Sequence, residues 1–359
     1  MFYFFSLYYF SKRLKNIIPN RAFLFAILFL SIEPTILQYH SSFYTESIYF
    51  SLLLLIFGML LEKKINFSYN LIIGILIGLA FLQRSGAVYY IVPVLICYVF
   101  LFKKKIFYPF LGILSGFVLI CFLIGMYNQH KTGKFYFYPP EGKWGMYSYF
   151  SVYVLADKLN VSGDEARMIE LKKTLKWAKE NNIEFKKDPN FEKINSPMKL
   201  IGNFSNEIDQ IKFYDYIHQR QYKILLESPF ITLKKTIQNT MHLIVLNPTF
   251  VHYYNTYRGV IKGSVEFSQS QIHKNWIPFR ISYTLFIYIF CLIGFIELYK
   301  KKKLYEFYLI TFSVLYYLII YGWYGKTRLH VPSLIYLSVF FGVGIDLFLN
   351  KFIKYKKLI

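Results

Sequence analysis

The sequence predicts an all-α polytopic membrane protein, with about eight full spans, a short apolar segment at the start and one large, mainly helical loop outside the membrane. Three observations carry this. Apolar, aromatic-rich blocks flank a single polar stretch from about Asn128 to Trp276. Lysine runs fall at every second connection between the apolar blocks. Of the 359 residues, 55% are hydrophobic and 21% aromatic, leaving too few charges to cover a soluble domain of this length.

Along the chain, Phe2 to Phe10 has only about half a spanning length and reads as an interfacial helix or the tail of a missing helix. It is a poor signal peptide, because Lys12 and Arg13 follow the apolar run instead of preceding it. Spans are expected at 22–40, 46–61, 68–83, 88–102 and 106–127, and again at 278–298, 304–322 and 331–349. Each is near membrane-crossing length, or slightly short with Tyr or Trp at its ends. The chain therefore divides into membrane helices 1–127, a loop module 128–276, and membrane helices with a basic tail, 277–359.

The net charge of +22 suggests nucleic acid at first, but its placement excludes that partner. Lys12, Arg13 and Lys15, then Lys63 and Lys64, Lys103 to Lys105, Lys300 to Lys303, and the tail Lys351, Lys354, Lys356 and Lys357 all fall on one side if the spans alternate. This is the positive-inside bias of insertion. It puts the C-terminus in the cytoplasm and the loop module outside it. Cys97, Cys121 and Cys291 lie inside spans with no pairing or metal spacing, and read as inert buried thiols.

Within the loop, 164–181 and 209–226 read as amphipathic helices; in the second, Ile211, Tyr214, Ile217, Tyr222 and Leu225 recur at helical spacing. Ser228-Pro229 stops it, and 230–246 starts a further helix able to lie on the membrane surface. Of the twenty acidic residues only Glu33, Glu46, Glu62, Glu297, Glu306 and Asp346 lie outside the loop, so the loop is an ordinary mixed-charge module.

Ionisable groups within spans or at their mouths are costly, and so mark candidate sites. Glu33 precedes Pro34 in the first span, where a carboxylate needs a cavity, a cation, a proton or a hydrogen bond beside a proline kink. Glu46 follows His40 and Tyr44 in a short outer turn. Helix capping accounts for it, and so does a general base or metal ligand. Arg84 ends a span on the side opposite the lysines and invites an anion, either a phosphate or Glu46. Lys326, Arg328 and His330 in the last outer turn form the best anion site in the chain; anchoring to lipid headgroups is the plain alternative.

In their order, these segments resemble the bacterial polytopic glycosyltransferases of the C-type fold, in the family 39 and protein-mannosyltransferase-like group. Pro34 to Glu46 resembles the family's proline, outer turn and glutamate. Gly74 through Gly78 to Arg84 resembles its glycine-rich helix ending in an outward arginine. Asn128 to Gly133, Pro139 to Gly145 and Tyr216 to Pro229 resemble loop segments, and Lys326 to Pro332 the basic approach to a late helix. The resemblance implies a GT-C-like fold in the bacterial cytoplasmic membrane. It implies sugar transfer, retaining or inverting, from a polyprenyl-phosphate donor to a lipid, glycan or protein acceptor outside the cytoplasm. In the family an acidic residue on the first outer loop acts as base or helps bind a metal. This chain opens near the family's third helix, so Glu33 or Glu46 is expected in that role, with a divalent metal ion left open. Lys326 and Arg328, with Arg84, would hold the donor phosphate; His40, Tyr44, His330 and Trp144 would contact substrate. An O-antigen polymerase or ligase is the nearest alternative, ahead of a transporter or flippase, which would show internal duplication, and of an inactive fragment.

Overall fold

The computed structural model describes residues 2–33, 36–37, 44–102, 105–137, 150–186, 203–244, 269–322 and 331–356. The helices are α1 (Phe2–Leu14), α2 (Asn20–Ile32), α3 (Tyr44–Leu60), α4 (Phe67–Gln83), α5 (Ile91–Phe102), α6 (Phe107–Thr132), α7 (Val152–Leu159), α8 (Gly163–Glu180), α9 (Glu207–Glu227), α10 (Pro229–Ile244), α11 (Gln269–Lys300), α12 (Leu304–Gly322) and α13 (Val331–Lys356). A 3-10 turn, Ser85–Tyr90, leads into α5. Among the described residues the only β pairing is an isolated bridge between Phe185 and Phe204. Phe107–Thr132, Ile281–Lys300, Leu304–Gly322 and Val331–Ile353 are long and apolar enough to cross a membrane; Asn20–Ile32, Glu46–Leu60, Phe67–Gln83 and Gly86–Phe102 are apolar but shorter. The chain is an all-α membrane protein by the length and composition of these helices.

Three boundaries differ from expectation, each for a local reason. The first span was expected to run to residue 40, but α2 stops at Ile32. Pro34 disfavours the helical conformation of its predecessor, and Glu33 accordingly takes φ −62° and ψ 120° as the helix cap. Helical structure is present again at Ile36 and Leu37. The loop was expected from Asn128, yet α6 continues to Thr132. It stops where Gly133 adopts φ 74°, a left-handed conformation that costs glycine nothing. Finally, α1 is not a helix lying across the bundle surface. It packs along α3 in the same direction, with Tyr3 near Phe50 and Phe10 stacked on Phe57 at 5.3 Å.

Contacts divide the chain into two compact units. The first comprises Met1–Ile120, His242–Tyr321 and Lys326–Ile359; the second, Cys121–Met241 and Gly322–Gly325. In the first unit α13 is the central helix. Its most apolar stretch is 83% buried, against 28% for those of α6 and α11, which turn most of their surface outward. Small residues let backbones touch, the device membrane helices use when apolar burial offers no gain over lipid. A Cβ at Gly294 would run into the Phe340 carbonyl, and one at Gly344 into the Phe290 carbonyl, so α11 and α13 meet at a double glycine contact. The α4 and α6 crossing is built the same way. Gly74 faces the Ile113 carbonyl, Gly116 faces the Leu71 carbonyl, and a Cβ at Gly78 would lie 2.7 Å from that of Ile120.

The connections that carry the lysines come together at one end of this unit. Glu62 pairs with Arg13 at 2.5 Å and Lys64 at 2.7 Å, and Tyr9 donates to it at 2.5 Å. Burial pushes the Glu62 carboxyl up, but Lys64, Tyr9 and Arg13 together hold it below the usual range. Lys63 reaches Glu306 at 2.6 Å, Lys303 donates to the Ile17 carbonyl, and Arg21 donates to Asn350 at 3.1 Å. Four of these basic connections therefore share one end, as the charge pattern requires, and their cations tie helices together.

The second unit packs α7, α8 and α9 around Phe204, Phe213, Tyr214, Ile217 and Leu171. Helix α8 starts at a capping box, with Ser162 and Glu165 exchanging hydrogen bonds. Fully buried Glu170 receives Arg220 of α9 in a two-pronged pair at 2.8 and 3.2 Å, and Trp177 stacks on Tyr216 at 4.1 Å. At the start of α9, Asp209 accepts the Glu184 backbone N–H at 3.0 Å and the Asn206 amide at 3.0 Å.

Two consequences can be measured. Gly116→Val should force α4 and α6 apart, at a cost of about 1–3 kcal/mol or more, and lower the melting temperature of detergent-purified protein; Leu119→Ala, at an exposed position of α6, should not approach that loss. An unchanged melting temperature for Gly116→Val would refute the tight crossing. The second concerns pH. Burial pushes Asp209 up, but the Glu184 N–H, Asn206 and Lys212 outweigh it and hold the carboxyl below its usual range. The stability it contributes is present above the unfolded pKa of about 3.9 and lost as pH falls through the lower folded value. Hydrogen exchange, corrected for intrinsic rate, should show protection of the Glu184 amide retained through the ordinary carboxylate range and lost only as pH falls through the lowered folded value in wild type, but already lost at neutral pH in Asp209→Ala.

Candidate functional site

At the end of the first unit opposite the lysines, two acidic residues and one arginine stand where the sequence placed them. Tyr44 opens α3, so Glu46 falls in its first turn, favoured by the unpaired N–H groups and dipole there. Arg84 caps α4 with φ −147° and ψ 115°, its N–H still bonded to the Ala80 carbonyl at 3.0 Å. That extended step swings the side chain away from the α4 axis and onto Glu46, and the two form an ion pair. Side-chain exposure is 19% for Arg84 and 7% for Glu46, so the pair is largely withdrawn from solvent. Of the two anions the sequence left open for Arg84, the folded chain supplies Glu46.

Glu33 is a separate buried carboxylate. It ends α2 at 2% exposure; one oxygen accepts the Ile36 N–H at 2.8 Å and the other accepts the Tyr283 hydroxyl of α11 at 3.2 Å. Because α2 ends with Glu33 as its extended cap, the carboxylate reaches the Ile36 N–H three residues on. Its environment is one of hydrogen-bond donors on α11 and its own backbone, and it is not part of the Glu46–Arg84 pair.

The structure adds a feature that sequence reasoning missed. Below Glu46 and Arg84, tyrosine hydroxyls link α3, the 3-10 turn, α12 and α13. Tyr316 donates to the Gly86 carbonyl, and a Cβ at Gly86 would run into the Tyr321 hydroxyl. Deeper, Tyr49, one turn after Glu46, meets Tyr317 at 3.0 Å. Tyr336 donates to Tyr90 at 2.6 Å, and Tyr90 lies 3.4 Å from the Ser313 hydroxyl. These rings are fully or almost fully buried. A buried hydroxyl must be partnered to repay its lost hydration. Pairing tyrosines with one another satisfies them while keeping the aromatic bulk that fills the bundle. The available signal was Ser313, Tyr317 and Tyr321 at helical spacing inside an apolar run, where phenylalanine would have been cheaper in hydrocarbon.

The remaining expected site residues lie outside the described residues: His40, Trp144, Lys326, Arg328 and His330. Tyr44 is placed at the start of α3, with its side chain outside the description. Of the described residues that flank Lys326, Arg328 and His330 in sequence, the Tyr321 hydroxyl meets Gly86 and Val331 is the buried start of α13. Both flanking residues stand at the Glu46–Arg84 end. Among the described residues no group of three or more His, Cys, Asp or Glu side chains has the arrangement of a metal site. The chain matches no family model, no curated protein and no solved structure.

Chemically, the pair presents a fixed carboxylate whose charge is balanced by a guanidinium, at the mouth of an apolar bundle. Removing one partner leaves the other charge poorly solvated, which costs about 3–5 kcal/mol for a buried pair. Glu46→Gln and Arg84→Met should each lower the thermal midpoint in detergent. The double variant should recover much of the loss, because no orphan charge remains. Additive losses in this double-mutant cycle would show that the two side chains are not coupled.

Proposed function

We propose that this protein is a membrane glycosyltransferase with a GT-C-like arrangement of about eight spans, moving a sugar from a polyprenyl-phosphate donor to a lipid, glycan or protein acceptor on the extracytoplasmic side. The observation that carries the reading is the buried Glu46–Arg84 pair at the helix ends opposite the basic connections. A carboxylate withdrawn from water, fixed by an arginine and placed where a lipid-borne donor would present its sugar, suits a general base. The sequence connects α12 to α13 at this same end through Lys326, Arg328 and His330.

In this reading Glu46 takes the proton from the acceptor hydroxyl as the hydroxyl oxygen bonds to the anomeric carbon. The bond from that carbon to the phosphate oxygen breaks, and the polyprenyl phosphate leaves with the electron pair. Lys326 and Arg328 answer the charge that develops on the leaving phosphate, where fixed cations lower the barrier most. Arg84, being paired to Glu46, orients the base as well as adding positive potential. Glu33, held by Tyr283 and the Ile36 N–H, is the second acidic candidate, with His40, Tyr44, His330 and Trp144 as substrate contacts. A divalent ion, where used, would supply further charge at the phosphate.

The test is transfer of a labelled sugar from a short polyprenyl-phosphate donor in proteoliposomes. Glu46→Gln and Arg328→Ala should each lose about 100-fold or more of the rate, the scale of a lost base or charge clamp. The exchanged variant Glu46→Arg with Arg84→Glu separates chemistry from folding: it should keep the thermal midpoint near wild type and stay inactive. Wild-type rates in Glu46→Gln would remove the proposed base.

A further inference from the structure

The cations at the basic end of the first unit fall into two sets. One set is answered within the protein. Arg13 and Lys64 meet Glu62, Lys63 meets Glu306, and Lys301 pairs with Glu297 at 3.0 Å. Arg21 donates to the Asn350 side-chain oxygen at 3.1 Å, and the Asn350 amide donates to Asp346 at 3.2 Å. Among the described residues, these contacts use every acidic side chain of that end. Lys12, Lys15, Lys300, Lys302 and Lys351 form the other set: each is exposed and has no acidic partner among the described residues.

The second set belongs to one patch, because contacts within the unit tie its elements together. Lys303, next to Lys302, donates to the Ile17 carbonyl, two residues beyond Lys15. The Arg21–Asn350 bond joins the start of α2 to the turn of α13 that carries Lys351. Helices α11 and α13 are in contact through Phe290 and Phe348, whose rings lie 5.6 Å apart.

Two observations say what the patch faces. Ile281–Lys300, Leu304–Gly322 and Val331–Ile353, three helices long and apolar enough to cross a membrane, each begin or end here. Exposed Tyr299, Phe348 and Phe352 stand beside Lys300 and Lys351 in these same helix ends. Aromatic rings next to lysines at helix ends mark the boundary between acyl chains and headgroups. A lysine stem lies there on hydrocarbon while its ammonium reaches phosphate. The second observation is conformational. Lys302 has φ 55°, in a helix ending where its own N–H bonds to the Tyr299 carbonyl at 3.0 Å and the Lys303 N–H to the Leu298 carbonyl at 3.3 Å. Glycine fits that ending without strain. A lysine keeps a cation on the surface at a conformational cost that no ion pair among the described residues repays.

We propose that Lys12, Lys15, Lys300, Lys302 and Lys351 form a binding surface for anionic phospholipid headgroups in the leaflet that meets this end. A headgroup with net negative charge supplies the counter-charge these ammonium groups lack; a zwitterionic one brings its own cation and does not. The surface lies at the end away from Glu46 and Arg84, and it is independent of the sugar-transfer reading.

The full chain in neutral detergent is mixed with phosphatidylglycerol or phosphatidylcholine at equal mole fraction, and bound lipids are counted by native mass spectrometry. Phosphatidylglycerol should be retained preferentially and raise the thermal midpoint more than phosphatidylcholine. The difference should fade at about 1 M salt, where screening acts within about 3 Å. Each of the five lysines replaced by glutamine should lower the preference by up to about fivefold. Lys302→Gly should lower it by the same factor while keeping or raising the midpoint in lipid-free detergent, because it relieves the left-handed conformation. Equal retention of the two lipids by wild type overturns the proposal, and so does an unchanged preference with all five lysines replaced. A Lys302→Gly variant that loses midpoint but keeps its preference gives that residue a purely structural role and overturns its assignment. Equal stabilisation by soluble polyphosphate at matched charge, as a general anion patch would give, overturns the lipid as occupant.

Discussion

A carboxylate or ammonium at the edge of hydrocarbon costs several kcal/mol unless a partner meets it, and that cost organises both ends of the membrane-helix unit. At one end Glu62 gathers Arg13, Lys64 and Tyr9, while Lys63 spans to Glu306. At the other, Glu46 and Arg84 hold each other, and Glu33 is met by Tyr283 and the Ile36 N–H. Charge pairing closes the unit top and bottom, and the helices between need only fit. The two ends differ in kind. The basic end has a surplus of lysines, with Glu62, Glu297 and Glu306 among the acids ordering them. Among the described residues the opposite end has one ion pair and one hydrogen-bonded acid, each largely buried.

Between the ends, fit is achieved by small residues and by hydroxyls. Glycines on α11 and α13, and on α4 and α6, bring backbones together at distances a side chain would forbid. Where larger residues fill the interior, tyrosines satisfy one another from α3, α12 and α13. This gives the Glu46–Arg84 pair a rigid floor. Tyr49 sits one turn below Glu46, and Tyr316 fixes the turn that carries Arg84 into α5. On the glycosyl-transfer proposal such a support would matter, since small displacements of a reacting group are costly in rate.

Much of the candidate site was legible because charge in an apolar sequence is conspicuous. Glu33, Glu46 and Arg84 were singled out by position alone, and each is held by named partners in the folded chain. The pairing of Arg84 with Glu46 was visible only as one of two choices, because 38 residues separate them and no periodic rule brings them together. The tyrosine floor was not visible, since tyrosine in a span has the same hydropathic signature whether its hydroxyl faces lipid headgroups or another tyrosine. The break at Glu33 was within reach of the local rule for residues before proline, but the apolar run beyond it argued for continuation.

The amino-acid sequence by itself determined the class of the molecule. Apolar length, lysine placement and the single polar module follow from local composition, and membrane insertion responds to those same local quantities. It determined the three amphipathic helices 163–180, 207–227 and 229–244 to within a few residues, because caps and apolar spacing act over a turn or two. Tertiary structure alone decided which helix is central and which charges answer one another. Those outcomes depend on contacts between residues distant in the chain, where shape and partner availability select among pairings that composition leaves equal.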